Sequence, residues 1–148
     1  MLQDNINPDL VRRIDGLPYL YDPTRALWLS VNMRTYTFAI DHRNIGCATA
    51  MQFIAELHTN VNGPLVEKNG ILVSLSVRCQ NNANANFNLY KNNDSLVRQI
   101  VLSGVNFGKL ENLSDLLSED DWLGCNCEPI SGNVDFPVLQ ATVAWREN

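Results

Sequence analysis

The chain has 148 residues, enough for one domain that buries a sizeable core, and a formal net charge of −5 with an isoelectric point near 4.8. Its 11 Lys and Arg residues are scattered without a basic stripe, which argues against duplex nucleic acid as a partner. No stretch approaches the roughly 20 continuous apolar residues of a membrane helix, and residues 1–9 lack the basic and apolar regions of a signal peptide. A chain made in the cytoplasm, bound neither to membrane nor to nucleic acid, is the expectation. Charged residues are only 18%, and polarity is carried instead by 19 asparagines, a residue that suits turns because it tolerates left-handed backbone angles.

Residues 1–20, interrupted by Pro8 and Pro18, read as an extended N-terminal arm. Within it, residues 10–14 suit either one helical turn or an extended piece pairing with a neighbour. From Trp28 the apolar period approaches two, and residues 28–31, 36–40 and 51–58 read as strands. Residues 71–79 give the clearest alternation: Ile71, Val73, Leu75, Val77 and Cys79 fall on one face, with Ser74, Ser76 and Arg78 on the other. Residues 86–91 alternate again, with Phe87 and Leu89 opposite Tyr90. The polar run 91–95 then predicts a hairpin turn and residues 96–102 its return strand.

Residues 112–121 are acidic and loop-like, and 113–117 also suit a short helical turn with Ser114 near its start. Residues 122–127 read as a strand, followed by a loop containing Pro129, Gly132 and Asn133. The last strand, 136–146, places Pro137 at its start or on an edge, and Leu139, Ala141, Val143 and Trp145 toward the core. Short strands with no long helical pattern between them predict an all-β, antiparallel two-sheet sandwich of jelly-roll type over residues 21–148.

Chemistry-bearing patterns are few. The nucleotide, metalloprotease and hydrolase motifs are missing, so no catalytic residue, cofactor site or metal site is assigned and the chain reads as a non-enzyme. Asp41, His42 and Arg43 adjoin, but strand neighbours point to opposite faces, so a solvated loop is preferred to a catalytic pair. Asp115, Glu119, Asp120 and Asp121 lack the spacing of a calcium loop and read as a solvated acidic turn. Cys47, Cys79, Cys125 and Cys127 read as reduced core thiols. Cys125 and Cys127 share a strand face, but with no second pair at ligand spacing, and only His42 and His58 elsewhere, zinc is disfavoured. Trp28, Trp122 and Trp145 suit core or subunit packing better than a sugar platform.

Residues 21–31 (Tyr-Asp-Pro-Thr-Arg-Ala-Leu-Trp-Leu-Ser-Val), residues 38–44, and the closing residues 132–138 and 144–146 resemble a family of small phage virion domains. These are jelly-roll modules similar to the trimeric heads of the C1q and tumour-necrosis-factor type. The likeness runs in order from Tyr21 to Arg146 and includes a central turn at Tyr90, Lys91, Asn92 and Asn93. Asp94 and the cysteines at 125 and 127 depart from the family pattern. The resemblance implies a homotrimer on the outer surface of a virion. A capsid decoration (cement) protein bound to the major capsid protein fits best, since only about 20 residues precede the domain and no fibre shaft follows from them. The alternative is the receptor- or glycan-binding head of a tail or head fibre, with a host-surface glycan as partner. Such a module needs no cofactor: cyclic assembly hides sheet edges and repeats a weak attachment site.

Overall fold

The structure, a computed structural model, describes residues 10–41, 43, 45, 49–53, 63–92 and 95–147. Those residues form ten β-strands and no α-helix, and every strand pairing is antiparallel. The all-β, antiparallel expectation therefore holds.

The frame is a long hairpin of β6 (Gly70–Lys91) and β7 (Ser95–Leu110). Its turn lies where the polar run predicts it. Asn92 there has a positive φ of 51°, and Asn93 and Asp94 fall outside the described residues. Residues 71–79 and 86–91, expected as two strands, are one, because the intervening alanines Ala83 and Ala85 keep the inward alternation going and are buried. On the side of β6 away from β7, β10 (Val138–Arg146) pairs along residues 70–78 and β9 (Leu123–Ser131) along residues 84–91. β10 continues to β3 (Leu27–Ala39), and β3 to β2 (Leu17–Asp22) and β1 (Val11–Ile14).

The pairing also closes on itself. β3 pairs β5 (Gln52–Phe53), and β5 is separated only by Met51 from β4 (Thr49–Ala50), which pairs β9. The circuit β6, β10, β3, β5, β4, β9 and back to β6 encloses the main core, in which Tyr36, Phe38, Leu75, Phe87, Leu89, Leu102, Leu123 and Leu139 are fully buried. Cross-strand packing inside that ring is the main apolar burial of the fold, at roughly 25 cal/mol per Å² removed from water.

Several expectations are corrected. Ile71 and Val73 do not share a core with Leu75, Val77 and Cys79. A bulge opposite Thr142 and Val143 inverts the alternation, so Leu72 joins the main core while Ile71 and Val73 pack with Leu29 and Ala144 on the other face. The carbonyl of the bulged Val73 accepts from Leu113 N–H at 3.1 Å. Residues 28–31 and 36–39 belong to the single strand β3, and Ile40 lies just past its end. The helical turn at 113–117 is instead the short strand β8 (Asp115–Leu117), held flat by pairing with Gly70–Leu72. Of the strand expected at 51–58, residues 52 and 53 are strand and residues 54–58 lie outside the described residues. The strand at 122–127 runs on through Pro129 to Ser131.

In the expected arm, residues 1–9 lie outside the described residues. β1 turns back on β2 through Asp15 and Gly16, both at positive φ (51° and 80°), the signature of a two-residue hairpin turn. The arm boundary expected at residue 20 falls inside β2, which pairs with β3. In the last strand Pro137 precedes β10, and Leu139, Ala141, Val143 and Trp145 face the core as expected.

Candidate functional site: the open β7 edge and the Arg78 clefts

β7 is the longest strand with one free edge. Among the described residues it pairs only with β6, so alternate residues of its 16 turn their N–H and C=O groups away from any partner. Natural edges are usually guarded by charge or proline. Between Arg98 and Lys109 this edge has neither; Gln99 through Gly108 is uncharged, with Gly104 (φ 68°) forming a bulge. Val101, Val105 and Phe107 are 55%, 46% and 48% exposed along it.

Where β6 and β7 part, a second feature opens. Arg78 pairs with Phe107 and Ala83 with Val105, so residues 79–82 of β6 bow out past the single residue Asn106. The bow is tied from the far side: Gln80 N–H donates to Asp135 O (2.9 Å), Asn81 Nδ2 to Asn133 O (2.8 Å), and Asp135 N–H to Asn81 Oδ1 (2.9 Å). A cleft of about 420 Å³ lies beside it, lined by Arg78, Cys79, Gln80, Phe136 and Val138. A neighbouring cleft of about 400 Å³ shares Arg78 and Val138 and adds Ser76, Val77, Phe107 and Gln140. Phe136 holds φ at 46°, a left-handed conformation costly for a residue with a Cβ, and the Arg43 guanidinium lies 5.4 Å from its ring centre. Strain of that kind persists only where surrounding contacts impose it.

The residues singled out in the sequence have structural partners. Asp115 accepts from Arg98 Nε (2.7 Å). Asp121 is 9% exposed, accepts from Ser118 N–H (2.8 Å) and from Asn92 Nδ2, and lies 3.7 Å from Lys91 Nζ, so it fastens the turn instead of facing solvent. Glu119 and Asp120 are exposed, and no group of three or more His, Cys, Asp or Glu suited to a metal occurs among the described residues. Asp41 and Arg43 are exposed; His42, His58 and Cys47 lie outside the described residues.

Cys79, Cys125 and Cys127 are free and buried. Burial pushes the Cys127 thiol up to about 12, with Cys79 and then the Glu128 carboxylate adding to the effect, and the Cys79 thiol up to about 11, with the Asp135 carboxylate adding; it raises Cys125 well above its ordinary value. The three thiols are protonated core groups. The tryptophans do not form one platform: Trp145 is core, Trp122 is half-buried, and Trp28 sits between Tyr21 (centroids 5.3 Å apart) and Arg12 (4.2 Å). The free β7 edge and the Arg78 clefts escaped the sequence reading. The uncharged run 99–108 is a visible signal for the edge, whereas the clefts arise from a bow in β6 that no local pattern announces.

No family model and no curated protein matches the chain. A solved structure titled "Crystal Structure of FLHE" aligns over 79% of this chain and 100% of its own at 11% identity, with a TM-score of 0.38.

Proposed function

We propose that this protein is a non-enzymatic structural component of a phage-type virion, a jelly-roll-like sandwich that acts by self-assembly as a trimeric capsid decoration protein. The observation that carries the reading is the β7 edge: 16 residues long, open on one side among the described residues, uncharged from 99 to 108, and bearing Val101, Val105 and Phe107 in solvent. An edge of this kind is an aggregation hazard in a free monomer and a joint in an assembly. Closed cyclic symmetry satisfies it while repeating one attachment surface, and repetition turns weak contacts with a capsid lattice into firm ones. The β6–β7 ribbon, flanked by β10 on one half and β9 on the other, is compatible with the layered sandwich that the sequence resemblance implies.

The test is the mass of the protein in solution followed by imaging of the particle that carries it. A trimer whose density sits on the joints between major capsid subunits is the expected result. A monomer at every concentration, with no density on the particle, overturns the reading.

A further inference from the structure

We infer that the paired clefts around Arg78 bind a carboxylate-bearing sugar. The starting observation is an uncompensated cation. Arg12, Arg34, Arg98 and Lys109, also on strands and exposed, each have a carboxylate partner; among the described residues Arg13 on β1 has none either, but it lines neither cleft. The Arg78 side chain is exposed, sits where two clefts meet, and makes no hydrogen bond or ion pair among the described residues, in a chain whose net charge is −5. A guanidinium presents a planar fork of donors that matches a carboxylate in two parallel hydrogen bonds.

The walls name the rest of the ligand. Phe136 on one side and Phe107 on the other offer apolar faces to the C–H face of a pyranose ring, with Val138 between the two clefts. Gln80 and Gln140 add amides that both donate and accept, as ring hydroxyls require. The volumes, about 420 and 400 Å³, fall at the lower end of small-molecule sites, roughly 300–1,000 Å³. An acidic peptide fits less well. Extended peptides are held by unpaired backbone, and at the Phe136 cleft Gln80 N–H is already given to Asp135 O while Val138 and Gln140 are within the β10–β6 ladder, so unpaired backbone borders the other cleft alone, at Phe107 on β7. The strained Phe136 belongs to the same account: its left-handed φ keeps the ring at the cleft wall, where a glycine would hold the backbone but lose the surface. Phe107 is shared with the β7 edge, whereas Arg78 on β6 and Phe136 are not, so variants at those two positions test this inference apart from the assembly reading.

The probe is D-glucuronate, titrated calorimetrically and by ligand-observed NMR into the full chain, beside methyl β-D-glucopyranoside, acetate and a hexaglutamate peptide. Glucuronate is expected to saturate, and the neutral glucoside and acetate to bind about tenfold or more weaker, since each retains only part of the contact set. Arg78→Met and Phe136→Gly are each expected to weaken glucuronate by about tenfold or more. Leu116→Thr, exposed on β8 and outside both clefts and the β7 edge, should leave it unchanged. Unaltered melting of Arg78→Met shows that any loss is local, because the side chain makes no hydrogen bond or ion pair among the described residues. Acetate binding as well as glucuronate, hexaglutamate binding tighter than glucuronate, indifference to Arg78→Met, or no saturation by about 50 mM, far weaker than a millimolar site, would each overturn the inference.

Discussion

Asn88 shows what a single polar side chain does on this sheet. It is 2% exposed on β6, receives a hydrogen bond from Gln99 Nε2 on β7 (2.7 Å), and donates through Nδ2 to Asn126 Oδ1 on β9 (2.8 Å), so one amide ties three strands together. Cutting the relay leaves two partners unsatisfied, one of them buried. Asn88→Ala is therefore expected to cost about 1–3 kcal/mol, read as a lower urea midpoint at unchanged slope. The buried thiols give the complementary case. A thiolate is the reactive form, and Cys79 and Cys127, raised to about 11 and about 12 by burial, contain almost none at pH 8. In a Cys47→Ser variant the native protein should give no colour with a disulfide reagent at pH 8, and all three remaining thiols should react once it is unfolded. The sign with pH follows. The folded form keeps protons that the unfolded chain releases above the ordinary value of 9.0, so this contribution is intact below pH 9. It is lost as pH climbs from there through 11 and 12. A native thiol that reacts readily at pH 8 contradicts the burial.

At the scale of elements, the strands were legible wherever apolar and polar residues alternate across an undisturbed ladder. The hairpin at 91–95, the inward set Phe87 and Leu89, and the core set of β10 are of this kind. Legibility failed at the bulges. The inversion at Val73 moved Ile71 to a second cluster, and the bow at 79–82 made the clefts; both are set by partner strands distant in sequence, which a local period does not contain. The β8 segment failed for a related reason, since pairing with β6 overrides the weak helical pattern of 113–117. The β1–β2 hairpin is different, because Asp15-Gly16 is a strong two-residue turn signal that the reading of residues 1–20 as an arm passed over. Its test is local. A Cβ at Gly16 meets nothing within 4 Å, so Gly16→Ala costs only what a left-handed φ costs, about 1–2 kcal/mol. That cost should appear as faster amide exchange in β1 with β6 unaffected. Gly70 is the contrast. A Cβ there would lie 2.7 Å from Val143 Cγ1 and 3.0 Å from the Ala144 carbonyl oxygen, inside the β6–β10 ladder. Gly70→Ala should lower global stability by about 1–3 kcal/mol, because backbone must shift to admit it; a variant as stable as the parent would mean that this packing is looser than the distances indicate.

Among the described residues, the link through β5 and β4 protects most strand edges, which leaves β7 as the long one exposed. Two forces then act on any second copy that approaches: unpaired N–H and C=O groups seek partners, and the exposed Val101 and Phe107 gain by leaving water. A lysine at the centre of that edge opposes both, since pairing would crowd or bury its charge, and it leaves the monomer intact because Val101 is 55% exposed and faces no core residue. Val101→Lys is thus expected to shift the solution mass from oligomer to monomer with little change in the melting of the isolated chain. Val101→Thr, which keeps shape and β propensity without charge, should retain most of the assembly. The pair of variants separates an edge joint from a nonspecific apolar patch. If association runs through β7, charge abolishes it and threonine does not; if the patch is merely sticky, both variants weaken it in proportion to lost apolar area. An oligomer that survives Val101→Lys at the parent's mass would place the joint elsewhere, with β1 and the exposed Val31 and Met33 of β3 next to be tested.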